Sequence, residues 1–258
     1  MKMGFCGDSF TAGIGCMNLY EQPYPILTSK HFNAKLTNLG RGGASNYAIY
    51  LQAIHAIEEV KVDILVISMT SMDRFDWIAE GHDAEYITAR NINYHDYAPF
   101  NFPQPNHDKP LVHPFAKDPE YDPLLLSQNV STIVEAIKKP DIAALALKKE
   151  PKAKLKKILD FYADVLPWHV KISYDVGLMA AAYTRAKKAG INCIVIGFEK
   201  ELLATIPPED LINHNWFAFS HQYPDSIKSM HASEDGHQAF SETLIKRIEQ
   251  NGYHNSVR

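Results

Sequence analysis

Lys2-Met-Gly-Phe-Cys6 runs without a break into Gly7-Asp-Ser-Phe-Thr-Ala-Gly13, and this opening decides how the rest of the chain is read. A short apolar run that stops at a glycine is a strand. The hydroxyl- and glycine-rich turn behind it is how a strand passes into a helix. The pattern then recurs. Lys35 to Leu39 is a second short strand, Asp63-Ile-Leu-Val-Ile-Ser-Met69 a third and Ile191-Asn-Cys-Ile-Val-Ile-Gly197 a fourth. The last two lack polar–apolar alternation, as parallel strands covered on both faces do. Asn215 to Phe219 reads as a fifth strand.

Helical spacings separate these runs. A helix follows Pro23 with Tyr24, Leu27 and His31 on one face, and Tyr47, Tyr50, Leu51, Ile54 and Ile57 mark another between Ala44 and Val60. Ile172, Val176, Met179, Tyr183 and Ala186 form a stripe that ends at Gly190, a natural helix stop, and Phe240, Leu244, Ile245 and Ile248 lie on a final helix. Alternating strands and helices predict an α/β fold, a three-layer α/β/α domain with a doubly wound, mostly parallel sheet of about five strands. Its ligand crevice is expected beyond the carboxyl ends of the strands.

The 258 residues suffice for one core, and the whole chain, 1–258, is read as one domain. Seven of the 13 glycines fall in the first 43 residues, which places the tight strand-to-helix turns there; seven of the 15 prolines fall between 99 and 123, which marks an irregular excursion. Residues 75–166 are accordingly read as a large insertion after the third strand. Its first half is rich in aromatics (Phe75, Trp77, Tyr86, Tyr94, Tyr97, Phe100, Phe102, Phe115, Tyr121), and its second half is helical and Lys-rich. It is expected to fold over the crevice.

With 26 Lys+Arg against 30 Asp+Glu the net charge is −4, which argues against nucleic acid as a partner. The basic stretch with Lys138, Lys139, Lys148, Lys149, Lys152, Lys154, Lys156 and Lys157 reads as a solvated helical surface. Three scattered cysteines, Cys6, Cys16 and Cys193, make neither a disulfide framework nor a zinc site, and His82, His95, His107 and His113 lack ligand spacing, so no metal is expected. No run approaches the roughly 20 apolar residues of a membrane span, and no stretch resembles a signal peptide. The expectation is a cytoplasmic protein of undetermined oligomeric state.

Four segments carry candidate chemistry. Ser9, at the end of the first strand, points a hydroxyl toward the crevice, where helix-start N–H groups can stabilise an oxyanion. Taken alone, the 7–13 turn equally suits an anion-binding loop of a nucleotide or flavin protein. Asn38-Leu-Gly-Arg-Gly-Gly43-Ala-Ser-Asn46 follows the second strand, with Ser45 or Asn46 as helix cap and Gly43 offering a backbone N–H. Met69-Thr-Ser-Met-Asp73-Arg74 follows the third. His231-Ala-Ser-Glu-Asp-Gly-His237 precedes the last helix, where Ser233 caps and Glu234 and Asp235 suit the first turn.

In this order the segments resemble the blocks of the SGNH/GDSL hydrolase superfamily. Gly7-Asp-Ser-Phe-Thr-Ala-Gly13 is similar to block I, Asn38, Gly40 and Gly43 to block II, and His231-Ala-Ser233 with Gly236-His237 to block V. The resemblance covers residues 1–77 and 170–250, and it implies a flavodoxin-like sheet of SGNH type. It implies Ser9 as nucleophile, His231 as general base and then acid, and the N–H groups of Ser9 and Gly43 as oxyanion donors. The reaction it implies is hydrolysis of a small-molecule or carbohydrate ester, an esterase or deacetylase chemistry with no metal and no cofactor.

Two positions depart from the family. Met72 stands where block III has its donor Asn, so Ser71 or Arg74 is the substitute donor if there is one. Lys228 stands where the triad Asp belongs. Asp225, six residues before His231, is the acid if the loop bulges, and otherwise the pair works as a Ser–His dyad. A rival register makes His237 the base, with Glu234 three residues before it. The alternative to a hydrolase is an SGNH fold with weakened catalysis, kept for binding or assembly.

Overall fold

The structure, a computed structural model, describes residues 1–78, 125–129, 133–134, 137–138, 151–225 and 231–255. Five parallel strands form its sheet: β1 Lys2–Cys6, β2 Lys35–Asn38, β3 Ile64–Ser68, β6 Asn192–Gly197 and β7 Leu211–Asn213, ordered β2-β1-β3-β6-β7. Between β3 and β6, β4 Arg74–Ile78 and β5 Leu125–Asn129 pair antiparallel as a separate two-stranded sheet. The helices are α1 Ser9–Ala12, α2 Tyr24–His31, α3 Asn46–His55 (continued by a π-turn, Ala56–Val60), α4 Lys152–Asp164, α5 Trp168–Lys188, α6 Lys200–Leu203, α7 Trp216–Gln222 and α8 Glu234–Gln250.

Strand residues divide by parity between two apolar layers. Met3, Phe5, Ile64, Val66, Ile194 and Ile196 pack with Tyr24 of α2, Trp216 of α7 and Phe240, Leu244 and Ile248 of α8. Cys6, Leu65, Ile67, Cys193 and Val195 pack with Ile49 and Leu51 of α3 and with Val176, Met179, Ala182 and Ala186 of α5. All five residues of β3 are buried, because both faces of this central strand are covered. The chain leaves β1 toward the β2 edge and then crosses back over β1 to β3. Helices α2 and α3 therefore lie on opposite faces, and the crevice opens where the carboxyl ends of β1 and β3 part.

The expected fifth strand is misplaced by a few residues. Leu211–Asn213 is the strand, and 216–222 is a helix. The aromatics Trp216, Phe217 and Phe219 favour strands, but Asn215 accepts the N–H groups of Phe217 and Ala218 and starts a helix instead. The α2 stripe also differs from Tyr24, Leu27 and His31: Tyr24, Pro25, Ile26, Thr28 and Ser29 are buried, and His31 reaches Glu249 at the surface. Gly190 does close α5, at a φ of +74°. The predicted aromatics from Tyr86 to Tyr121, the histidines from His82 to His113, Lys139, Lys148, Lys149 and Lys228 lie outside the described residues. Among the described residues, no helix is long and apolar enough to cross a membrane.

At the far end of the sheet from the crevice, Asp210 stands before β7 with only 3% exposure. It accepts hydrogen bonds from Tyr183 Oη of α5 (2.7 Å), Lys187 Nζ (3.2 Å) and Tyr253 Oη, drawing a helix and the C-terminal turn onto β7. Burial foremost, and this carboxylate next, push both phenols above their ordinary range, so they act as donors. Asp210→Ala removes the acceptor these three donors share and is expected to lower stability by about 1–3 kcal/mol. Urea unfolding monitored by circular dichroism measures it.

Candidate functional site

The crevice is assembled from the turn after β1. Gly7 is obligatory there: a Cβ would lie 2.0 Å from Thr11 Oγ1 and 3.1 Å from Ser68 Cβ. Gln52 of α3 holds the Gly7 peptide groups from the other layer, accepting its N–H at 2.7 Å and donating to its carbonyl at 3.2 Å. Asp8 then caps α1 by accepting the Phe10 N–H at 3.0 Å, and Ser9 becomes the first helical residue, buried at the carboxyl end of β1. Among the described residues Ser9 Oγ has no hydrogen-bond partner.

Asp8 is itself enclosed. Its Oδ2 accepts Thr70 Oγ1 at 2.6 Å and lies 3.2 Å from Arg74 Nη1, and both partners are buried. Arg74 Nη1 also donates to the Ala44 carbonyl at 3.1 Å. The Arg74 proposed from sequence as a substitute oxyanion donor therefore spends this nitrogen on Asp8 and on the loop after β2. Ser71, the other substitute, is half-buried, and its carbonyl accepts the Arg74 N–H. Met72 is 3% exposed, with its sulfur 3.9 Å from Asn46 Nδ2.

The loop after β2 lies against α1. Asn38 donates to the Thr11 carbonyl (2.8 Å) and accepts the Gly40 N–H (3.0 Å), while Arg41 N–H reaches the Gly7 carbonyl (3.1 Å). A Cβ on Gly40 would stand 2.7 Å from the Ala12 nitrogen and 2.8 Å from the Thr11 carbonyl carbon, both backbone. Gly43 follows with φ +79°, in a turn closed by Ala44 N–H to the Arg41 carbonyl, and Ser45 caps α3 while donating to Asp76.

His231 arrives from the other chain end. Its ring lies 5.0 Å from the ring of Phe10, the residue after Ser9, and Phe10 in turn stacks on Trp216 at 5.0 Å. The segment is fixed by an antiparallel bridge between Pro224 and Ala232, with Asp225 N–H donating to the His231 carbonyl (3.2 Å) and Ser233 N–H to the Tyr223 carbonyl (2.8 Å). Asp225, 3% exposed, thus sits directly across from His231 despite lying six residues before it. On its other side the segment abuts Gly15, where a Cβ would be 3.0 Å from His231 Cβ, and Glu234 accepts the Met17 N–H. Cys16, in the same stretch, is kept a thiol: burial, then the Glu234 charge, push it up to about 12.

His237 has a different environment. It is fully buried, stacks on Tyr24 at 5.9 Å, and its Nδ1 accepts the Tyr24 N–H at 3.3 Å. Burial pushes its pKa down to about 4. The ring is neutral and serves packing. His214, wedged among Trp216, Phe219 and Phe240, is likewise lowered to about 4 by burial.

Sequence reading missed Gln52, Asp175 and Lys171 as supports of this turn, took Asn46 only as a possible helix cap and gave Thr70 no role. Asn46 accepts the Thr70 N–H (2.9 Å) and donates to the Thr70 carbonyl (3.2 Å) and to Asp175 (2.9 Å), which Lys171 pairs from one turn earlier on α5. The available signal was a polar residue on an otherwise apolar helix face, Gln52 in line with Ala48, Ile49 and Ala56. Among the described residues no cluster of three or more His, Cys, Asp or Glu is arranged to hold a metal.

A folded state that cannot protonate His237 until about pH 4 opposes an unfolded chain that does so near pH 6.5. The stability from this ring is therefore whole above pH 6.5 and is lost on acidification toward pH 4, by on the order of 3 kcal/mol. His237→Asn, which keeps an acceptor for Tyr24 N–H, should flatten the fall in unfolding free energy between these pH values, with His214 retaining its own share. Denaturation at a series of pH values reads the slope. Gly40→Ala should expel α1 and destabilise the fold by several kcal/mol, of the order found for core overpacking.

No family model, no curated protein and no solved structure matches this chain.

Proposed function

We propose that this chain is a serine acyl-ester hydrolase of SGNH type. The observation that carries the reading is the packing of the His231 ring on Phe10, whose preceding residue, Ser9, opens a helix at the carboxyl end of β1. Asp225 across the backbone bridge supports a triad acid in a displaced position.

In this reading Ser9 Oγ attacks an ester carbonyl and His231 takes its proton. The oxyanion is received by the Ser9 and Gly43 N–H groups, each well-placed donor contributing about 3 kcal/mol. Collapse expels the alcohol, protonated by His231, and leaves an acyl-Ser9 ester. Water activated by the same imidazole then releases the acid. The substrate is a small acyl ester, with an acetylated sugar among the family's range.

A fluorophosphonate probe is expected to label Ser9, as mass spectrometry of the tryptic peptide will identify. Ser9→Ala should abolish labelling, and His231→Ala should slow it about a thousandfold. His237→Asn should keep most of the labelling rate, which separates the two histidine registers. One observation favours a second reading: Met72, which stands where the resemblance expects an oxyanion donor, is buried and has no hydrogen to donate. A folded protein that is neither labelled nor able to hydrolyse p-nitrophenyl acetate would make the fold a binding module instead.

A further inference from the structure

We infer that Arg74 is a positioning residue that sets the distance between the two backbone oxyanion donors, an inference that rests on the hydrolase reading above. Those donors lie on different connections, Ser9 after β1 and Gly43 after β2. Each is next to a group that Arg74 engages. Nη1 lies 3.2 Å from Oδ2 of Asp8, the residue before Ser9, and donates at 3.1 Å to the carbonyl of Ala44, the residue after Gly43.

The near ends of the two connections have ties of their own. Arg41 N–H bonds the Gly7 carbonyl, and Asn38 bonds the Thr11 carbonyl. The turn from Arg41 to Ala44 then swings away from these anchors with Gly43 at φ +79°. Arg74 reaches its far end from β4, so the turn that carries Gly43 is tied at both ends. A guanidinium suits the task. It stays charged, it is rigid and planar, and at 7% exposure it compensates an Asp8 that is 4% exposed. Thr70 satisfies the same Oδ2 with a neutral hydroxyl, which leaves the charge compensation to Arg74.

This role differs from donating to the oxyanion. A donor contacts the reacting oxygen, whereas Arg74 acts through Asp8 and Ala44 on groups that do. Losing it should leave Ser9 and His231 in place but let the Gly43 N–H drift, and misplacement by about 1 Å can cost about 100-fold in rate. The loss should fall on kcat, because the oxyanion exists only beyond the ground state.

The test is pre-steady-state hydrolysis of p-nitrophenyl acetate, in which the burst counts working sites and the following phase gives kcat per site. Arg74→Met is expected to retain most of the burst, lower kcat per site about 10- to 100-fold and leave KM within about threefold. Arg74→Lys, which keeps the charge but cannot span both acceptors as rigidly, should recover part of the rate. A purely structural role would shrink the burst at unchanged kcat per site, and that result overturns the inference. If Arg74→Met does not fold, Arg74→Lys decides: a reduced kcat per site supports the clamp, and a wild-type value overturns it. No burst from the wild-type protein overturns both this inference and the hydrolase reading, whereas a wild-type burst with unaffected Arg74 variants overturns the clamp alone.

Discussion

The crevice hangs on one buried carboxylate. Asp8 gives one oxygen to the Phe10 N–H that starts α1 and the other to Thr70 and Arg74, so a single side chain joins the connections after β1 and β3 to the first residue of β4. Removing a carboxylate from water costs several kcal/mol unless its partners are in place. Asp8 is satisfied only when these segments are in register, which makes the site cooperative. The exposed pair of Arg185 and Glu58, about half in solvent, has no such effect, since screening leaves it little net energy.

Thr70 extends the network inward. Its side chain serves Asp8 while its peptide groups are held by Asn46, and Asn46 passes the connection on to Asp175 and Lys171 at the start of α5. Burial raises the Asp175 pKa although Lys171 and Asn46 both pull it down. The network thus crosses from the turn after β3 to a helix that begins about a hundred residues later in the chain. It also gives Asn46 a use other than catalysis: its amide hydrogens go to Asp175 and to the Thr70 carbonyl.

The sheet was legible because β3 and β6 are buried on both sides, and a short unbroken apolar run between turn residues fits a doubly covered strand better than any amphipathic element. Gly7 and Gly40 were legible because close approach of neighbouring atoms restricts the residue type at each. The strand at Leu211 was missed because three residues carry too little pattern, while the aromatics next to it read as strand until the Asn215 cap is considered. The supporting network was hidden for another reason. Gln52 and Asn46 are polar residues whose partners lie 24 to 129 positions away, and no local rule ties a buried amide to a distant group. Arg74 was legible as a charge near the site but not as a tie, since its two acceptors are a side chain and a carbonyl on different loops.

The two histidines of the last segment show how burial allots roles. They are six residues apart, and either fits a base by type. His237 lies inside the aromatic layer, stacked on Tyr24 with its Nδ1 occupied, and burial has removed its capacity to hold a proton near neutrality. A general base must hold the nucleophile's proton until the leaving group needs it. His231 is only half-buried, stands at the edge of the same layer against Phe10, and has the Asp225 backbone across from it. The aromatic layer that stabilises the fold thereby separates the two rings: it neutralises the one it encloses and leaves the other half-buried at its rim, which is the ring the proposed hydrolase reading uses as base.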